Sequence, residues 1–308
     1  MTGKILAICR SDKKGTQKYE ISEAHLIPEW GIEGDAHAGK WHRQVSLLSF
    51  EKIEEFRAKG ANVAFGAFGE NLVLQGVDLR NVPVGTIMRC GDAVLRLTQI
   101  GKECHDHCAI YHSVGDCIMP REGVFAEVLK EGVIKPGDEM EFLPLDPDRP
   151  FTACVITLSD RAYEGTYEDK SGPLMVEILK EAGYEIVEYV LLPDNKNRLK
   201  RELIRLADQR QVNVIFTTGG TGFSERDITP EATLEVCDRH APGIAEAMRW
   251  YSLSITPKAM LSRQASGIRK KTLIVNMPGS PKAVKEDLDF ILKPLAHGLG
   301  ILRGTDTD

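Results

Sequence analysis

The stretch that most constrains this chain is Val214-Ile215-Phe216-Thr217-Thr218-Gly219-Gly220-Thr221-Gly222. Its apolar run is too short for a helix of its own and reads as a buried strand. The run ends in two threonines and a turn holding three glycines. Asp227 follows, then Thr229-Pro230-Glu231. Thr229 as N-cap, Pro230 at the first helical position and Glu231 in the first turn predict a helix start. Glycines let the backbone approach an anion closely, and the adjacent threonines supply hydroxyl and amide donors. Strand, glycine-rich turn, acid and helix start in this order point to a ligand-binding loop rather than a bland connection.

At 308 residues the chain is too long for one typical domain, so two are expected. A hydrophobic content of 42% is ordinary for a globular protein, and no apolar run approaches a membrane span. Met1-Thr2-Gly3-Lys4-Ile5 lacks the apolar core of a signal peptide, which predicts a cytoplasmic protein without a membrane partner. Seven cysteines, an odd number, fit reduced thiols better than a disulfide framework. A formal charge of -6 argues against nucleic-acid binding through net charge, yet leaves room for a local anion pocket.

The first half reads as short strands. Ile5–Cys9, Val45–Leu48, Asn71–Leu74, Thr86–Met88 and Val94–Thr98 are apolar runs separated by Gly, Asp and Asn, the spacing of a β-barrel or sandwich. Glu51 to Lys59 is an expected helix with Ile53 and Phe56 on one face, and Val124 to Leu129 is read as a second. Asp138 to Phe142 alternates polar and apolar, as a half-exposed last strand does. Gly34-Asp35-Ala36-His37-Ala38-Gly39-Lys40 has P-loop spacing, but Trp41 follows where Ser or Thr would bind Mg²⁺, and no buried strand leads in. It is rejected as a nucleotide site. Cys104-His105-Asp106-His107-Cys108, with His112 and Cys117 behind, admits three readings: a zinc site, a reactive or ligand-binding thiol, or inert buried cysteine.

Gly31 to Gly39, Phe68-Gly69-Glu70-Asn71-Leu72, Gly101 to Cys104, Met119 to Ala126 and Pro136-Gly137-Asp138 together resemble a MOSC domain over roughly residues 1–143. That resemblance implies a β-barrel-like module associated with the molybdenum cofactor, with Cys104 at the position of the functional thiol. It implies binding or handing over of the pterin cofactor or of sulfur.

Leu143 to Pro150 holds three prolines and reads as a short, stiffened connector, so the domains are expected at 1–146 and 147–308. Beyond it strands and helices alternate. Ala153–Leu158, Ile186–Leu192, Val212–Thr218 and Thr272–Asn276 are strands; Ser171 is expected to cap one helix, Leu199, Leu203 and Leu206 mark another, and Ser280-Pro281 opens the last. The alternation predicts an α/β domain with a doubly wound, mostly parallel sheet and ligands at the carboxyl ends of its strands. Four loops sit at those ends, carrying Ser159-Asp160-Arg161, Pro193-Asp194, Thr218 to Asp227 and Met277 to Pro281. Glycine amides and a helix N-terminus suit phosphate, and aspartates so close to phosphate need a divalent cation between them. That is the layout of phosphoryl or nucleotidyl transfer.

Leu158-Ser159-Asp160-Arg161 with Gly165, Asp169 and Gly172, then Leu192-Pro193-Asp194, Thr217 to Gly222, Arg226 to Thr233, Pro242-Gly243, Leu261-Ser262-Arg263-Gln264 and Asn276 to Lys282 resemble the MogA/MoaB-type molybdopterin adenylyltransferases over about residues 152–300. The resemblance implies adenylylation of molybdopterin from Mg-ATP with release of pyrophosphate. It makes Asp194 and Asp227 the catalytic, Mg²⁺-associated acids. Ser159, Asp160, Thr218, Gly219, Gly220, Thr221, Gly222, Ser262, Arg263, Pro278, Gly279, Ser280 and Pro281 become substrate-binding residues. It also implies a homo-oligomer, a trimer through the second domain. A non-catalytic carrier or sensor of the cofactor is the alternative, and retention of both acids favours the enzyme.

Overall fold

The computed structural model describes residues 1–103 and 117–306. They form two compact units, Met1–Asp146 and Pro147–Asp308.

In the first unit the strands are β1 (Thr2–Arg10), β2 (Tyr19–Ile21), β3 (Ala24–Ile27), β4 (Gly31–Ile32), β5 (Val45–Ser49), β6 (Leu72–Gln75), β7 (Ile87–Cys90), β8 (Ala93–Ile100), β9 (Val124–Lys130), β10 (Gly132–Ile134) and β11 (Glu139–Phe142). Seven of them run in the order β11-β7-β8-β9-β5-β6-β1, and β1 returns to β11 with Thr2 opposite Glu141. The sheet thus closes on itself as a seven-stranded barrel, which removes its open edges. Only the β5–β6 contact within the barrel is parallel, and a parallel pair needs a crossover. The segment between them supplies it, carrying α1 (Phe50–Arg57), whose Ile53 and Phe56 are buried as its spacing predicts. Inward residues such as Ile5, Leu47, Leu72, Leu95, Val124 and Met140 fill the barrel. The outward set Ala7, Leu48, Val73 and Phe125 lies under α1 and the one-turn α2 (Met119–Glu122). β3, β4 and β10 form a separate small sheet.

The expected helix at Val124 to Leu129 is instead β9, paired with β8 on one side and β5 on the other. Six apolar-rich residues are too few to show a helical period, and two waiting strand edges decide the matter.

The second unit holds β12 (Thr152–Leu158), β13 (Glu185–Leu192), β14 (Val214–Thr218), β15 (Arg239–His240), β16 (Ser266–Arg269) and β17 (Thr272–Met277), in the order β13-β12-β14-β17-β16-β15. The first four are parallel; β16 and β15 continue the sheet antiparallel. Its helices are α3 (Asp160–Tyr163), α4 (Ser171–Glu181), α5 (Lys196–Ile204), α6 (Thr229–Val236), α7 (Pro242–Leu253) and α8 (Pro281–Arg303). Met175, Ala245, Met248, Val284 and Leu288 of α4, α7 and α8 pack on one face of the sheet, against Val155, Phe216 and Val275. Leu199, Leu203, Ala232 and Val236 of α5 and α6 pack on the other, against Cys154, Ile156 and Ile215. Buried on both faces, these strands read as continuous apolar runs rather than alternating ones. No helix among the described residues is long and apolar enough to cross a membrane.

Candidate functional site

Because β12, β13, β14 and β17 run parallel, the loops after Leu158, Leu192, Thr218 and Met277 share one edge of the sheet. The chain winds outward from β12 to β13, then returns to add β14 on the other side of β12. The order reverses there, opening a crevice between the loops after β12 and β14.

The Gly219–Gly222 loop lines that crevice. Gly219 and Gly220 have φ of +95° and +65°. A Cβ at Gly219 would sit 2.3 Å from the Leu158 carbonyl oxygen, so only glycine lets the two loops meet this closely. The loop carbonyls all have partners. Thr229 Oγ1 donates to Gly219 O at 2.9 Å and Thr229 N to Gly220 O at 3.1 Å. Arg263 N donates to Thr221 O at 2.9 Å and Arg263 Nε to Gly222 O at 2.6 Å. By contrast, while the Gly219 amide continues the β14–β17 ladder toward Met277 O, the amides of Gly220, Thr221 and Gly222 meet no acceptor among the described residues. Carbonyls tied back and amides left over make an anion-binding concavity.

Thr229 is therefore the first residue of α6 rather than its cap; its hydroxyl closes the glycine loop, and the N-cap position falls to Ile228. Arg263, expected to touch substrate, spends its guanidinium on Gly222 O, Asp227 O and Glu231, holding loop and acid in register. Ser262 donates to Gln264 Oε1 at 2.7 Å.

The Pro278–Pro281 turn lies against the glycine loop: a Cβ at Gly279 would meet Gly219 Cα at 3.6 Å. Thr218 Oγ1 donates to Pro278 O at 2.7 Å and Ser171 Oγ to Gly279 O at 2.8 Å. Ser280 caps α8, accepting from Ala283 N, and Pro281 is its first residue. Ser171, expected as a cap, instead begins α4 with Lys170 at the N-cap position; Asp169, one residue further out, accepts from Ser171 N and Gly172 N through Oδ1.

The acids come together across two loops. Asp160 N donates to Asp194 Oδ2 at 3.2 Å, and Asp194 N donates to Asp160 Oδ1 at 2.9 Å. Ser159 caps α3 through Ala162 N and so fixes Asp160. Asp227 Oδ2 accepts from Ser224 N at 2.8 Å. Burial pushes the Asp194 carboxyl above its ordinary value, and the charges of Asp160 and Asp227 push it further while Arg226 pulls it down. A divalent cation would relieve that crowding of negative charge. Among the described residues no three His, Cys, Asp or Glu side chains already converge as a metal cage. A cleft of about 500 Å³ opens beside Asp227, lined also by Lys196, Phe223, Ser224, Glu231 and Arg263; Asp194 lies outside its lining.

Sequence reasoning missed Asn276. Fully buried beneath the loops, its side chain donates to Thr217 Oγ1 and Thr233 Oγ1 and accepts from Ala265 N. A polar residue ending an apolar strand was the available signal.

In the first unit Cys104 and its neighbouring histidines lie outside the described residues. The rejected P-loop segment is built around Asp35, whose carboxylate takes Lys18 Nζ at 2.7 Å, Asn71 Nδ2 at 3.1 Å and Ser11 N at 3.0 Å. The Lys18 and Asp35 side chains are 2% and 0% exposed. Ser11 Oγ lies 3.3 Å from His37 Nδ1. Glu70, also fully buried, accepts from Gly66 N and Phe68 N, and burial pushes its carboxyl up to about 7.

Residues 154–297 match the family described as a probable molybdopterin binding domain, and residues 34–141 match the MOSC domain. The chain is 42% identical to the molybdopterin adenylyltransferase of Helicobacter pylori strain J99 over 152 residues, covering 49% of this chain and 86% of that protein. It is 45% identical to the Escherichia coli K12 molybdopterin adenylyltransferase over 140 residues, covering 44% and 71%. A crystal structure of the molybdopterin biosynthesis enzyme MoaB from Thermus thermophilus is 42% identical, covers 50% of this chain and 97% of that chain, and superposes with a TM-score of 0.48. With 86% of a relative covered at 42% identity, the chain belongs to the probable molybdopterin binding domain family, here joined in one polypeptide to a MOSC domain.

Proposed function

We propose that this chain is a nucleotidyltransferase of molybdenum cofactor biosynthesis, transferring the adenylyl group of ATP to molybdopterin and releasing pyrophosphate. The observation that carries the reading is the Gly219–Gly222 loop, whose carbonyls are all engaged and whose Gly220, Thr221 and Gly222 amides are not, beside Asp160, Asp194 and Asp227. An oxygen nucleophile of the pterin substrate attacks the α-phosphorus; the new P–O bond forms as the bond to the β-phosphate bridging oxygen breaks, and its electron pair leaves with pyrophosphate. The loop amides and the N-terminus of α8 hold phosphate oxygens where charge grows. Asp194 and Asp227 would hold Mg²⁺, which when bound neutralises phosphate charge. Arg263 and Thr229 keep the loop carbonyls turned away from the phosphates.

The MOSC unit then binds or hands over the pterin cofactor or sulfur, with Cys104 as its thiol. The whole works in the cytoplasm as a trimer through the second unit, where Trp250, Leu253, Ile255 and Met260 expose apolar surface.

Asp227→Asn tests the central claim. The chain stays folded, and pyrophosphate release from Mg-ATP and molybdopterin falls by about 10²–10³, the loss expected of one preorganised electrostatic contact. Undiminished turnover would reduce Asp227 to a cap of the Ser224–Asp227 turn.

A further inference from the structure

Close behind two of the aspartates in the chain come cations that the mechanism above does not use. Arg161 follows Asp160 directly in α3, and Arg198 lies in the first turn of α5, just beyond Asp194. Both are exposed, and neither forms an ion pair with a carboxylate among the described residues. In a chain of net charge -6, beside a site rich in aspartate, arginines left without a carboxylate partner need a reason.

Each guanidinium is held on an aromatic ring. Arg161 lies over Tyr167, 4.9 Å from the ring centre, and Arg198 over Tyr163 at 5.7 Å. Arg198 also donates to Tyr163 Oη at 3.1 Å, which bridges α5 to α3. The loop after α3 folds back onto Arg161, with Thr166 N and Tyr167 N both donating to its carbonyl oxygen. Stacking fixes the plane of a guanidinium while leaving N–H edges open, so little side-chain freedom remains to be lost when a planar or tetrahedral anion is gripped in bidentate fashion. The two arginines stand at the starts of α3 and α5, directly after the two loops that Asp160 and Asp194 lock together. The glycine loop lies on the other side of that acid pair, after β14.

We propose that Arg161 on Tyr167 and Arg198 on Tyr163 form a pyrophosphate subsite that grips the β- and γ-phosphates of ATP and carries the leaving pyrophosphate. The inference rests on the adenylyl-transfer reading and adds where the leaving group sits. The glycine loop then serves the phosphate that reacts, and the arginine rim the two that depart. Neutralising charge on the leaving group is what such a transfer demands, and arginine supplies it with defined geometry.

The experiment is calorimetric binding of inorganic pyrophosphate and of Mg-ATP to the full chain and to Arg161→Gln, Arg198→Gln, Tyr163→Ala and, as a charge control, Arg239→Gln. Arg239 lies on β15, at the opposite edge of the sheet from β13. Each rim arginine variant should weaken pyrophosphate about ten-fold, the worth of one charge-assisted contact. Tyr163→Ala should follow Arg198→Gln, because the platform is gone, and Arg239→Gln should bind as the parent does. In steady state the rim variants should raise KM for ATP and relieve product inhibition by pyrophosphate, with KM for molybdopterin unmoved. Pyrophosphate affinity within two-fold of the parent in both arginine variants overturns the subsite and leaves the adenylyl reading standing. So does an equal loss in Arg239→Gln, which would mean diffuse surface charge. A parent chain that binds neither Mg-ATP nor pyrophosphate defeats the adenylyl reading itself, and the subsite with it.

Discussion

Asp35→Asn separates what the Gly34–Lys40 segment does for the fold from what it does for a ligand. The Asp35 carboxylate and the Lys18 ammonium are 2.7 Å apart, with side chains 0% and 2% exposed. At an effective dielectric near 20 that separation corresponds to roughly 6 kcal/mol of attraction. Asparagine is isosteric and still accepts from Ser11 N, yet it leaves the lysine charge buried without its hydrogen-bonded carboxylate, Glu70 being the acid that remains nearby. Breaking such a pair from one side costs about 3–5 kcal/mol. Unfolding of a two-unit chain is not two-state, so the unit must be read alone. Of the three tryptophans, Trp30 and Trp41 lie in the first unit and only the exposed Trp250 in the second. In a Trp250→Phe background, tryptophan fluorescence in urea therefore reports the barrel. With a slope of about 2 kcal/mol/M, the midpoint should fall by about 2 M. Adding Lys18→Met to Asp35→Asn should recover at least half of the loss, since the unpaired charge goes. A midpoint within 0.5 M of the parent (~1 kcal/mol at that slope) would refute the reasoning, as would a double variant no more stable than the single one.

Gly219→Ala should misfold the crevice locally while sparing the second unit's core, because the added methyl group meets the Leu158 carbonyl at 2.3 Å on a backbone at φ +95°. The check is loss of Mg-ATP binding with an unchanged far-ultraviolet dichroism spectrum; retained binding would mean that the loop tolerates a wider shape. Glu70 holds its proton up to about 7 in the folded barrel against 4.5 in the unfolded chain. Its contribution to stability is therefore complete below pH 4.5 and lost as pH rises through 7, a decline of about 3 kcal/mol that Glu70→Gln should abolish in urea titrations across that range. An identical slope in the variant would assign the decline elsewhere. Expressed separately, residues 1–146 and 147–308 should adenylylate limiting molybdopterin more slowly as a mixture than the intact chain does, because joining two modules raises the effective concentration of a shared ligand. Equal rates, with no pterin bound by the first piece, would leave the fusion without a catalytic role.

Much of the second unit was legible because its signals are local. A buried parallel strand is a short apolar run, and its end is marked where glycine, proline or a capping residue changes the backbone, as at Thr218-Gly219 and Ser280-Pro281. Period and punctuation need no partner to be read. The seven-stranded closure of the first unit, the strand at Val124–Lys130 and the antiparallel edge strand β15 were decided by partners distant in the chain. A six-residue apolar run carries too little period to choose between helix and strand by itself, and the open edges of β8 and β5 make the choice. The site divides in the same way. Which residues are candidates for phosphate or a cation follows from residue type alone, glycines with free backbone at Gly219–Gly222 and carboxylates at Asp194 and Asp227. That Thr229 and Arg263 serve the loop's carbonyls and leave the amides of Gly220, Thr221 and Gly222 over, and that Asp160 and Asp194 lock to each other, are matters of geometry. A hydrogen bond's direction is fixed only when strands from across the chain bring donor and acceptor within about 3 Å, and no spacing along the sequence contains that distance.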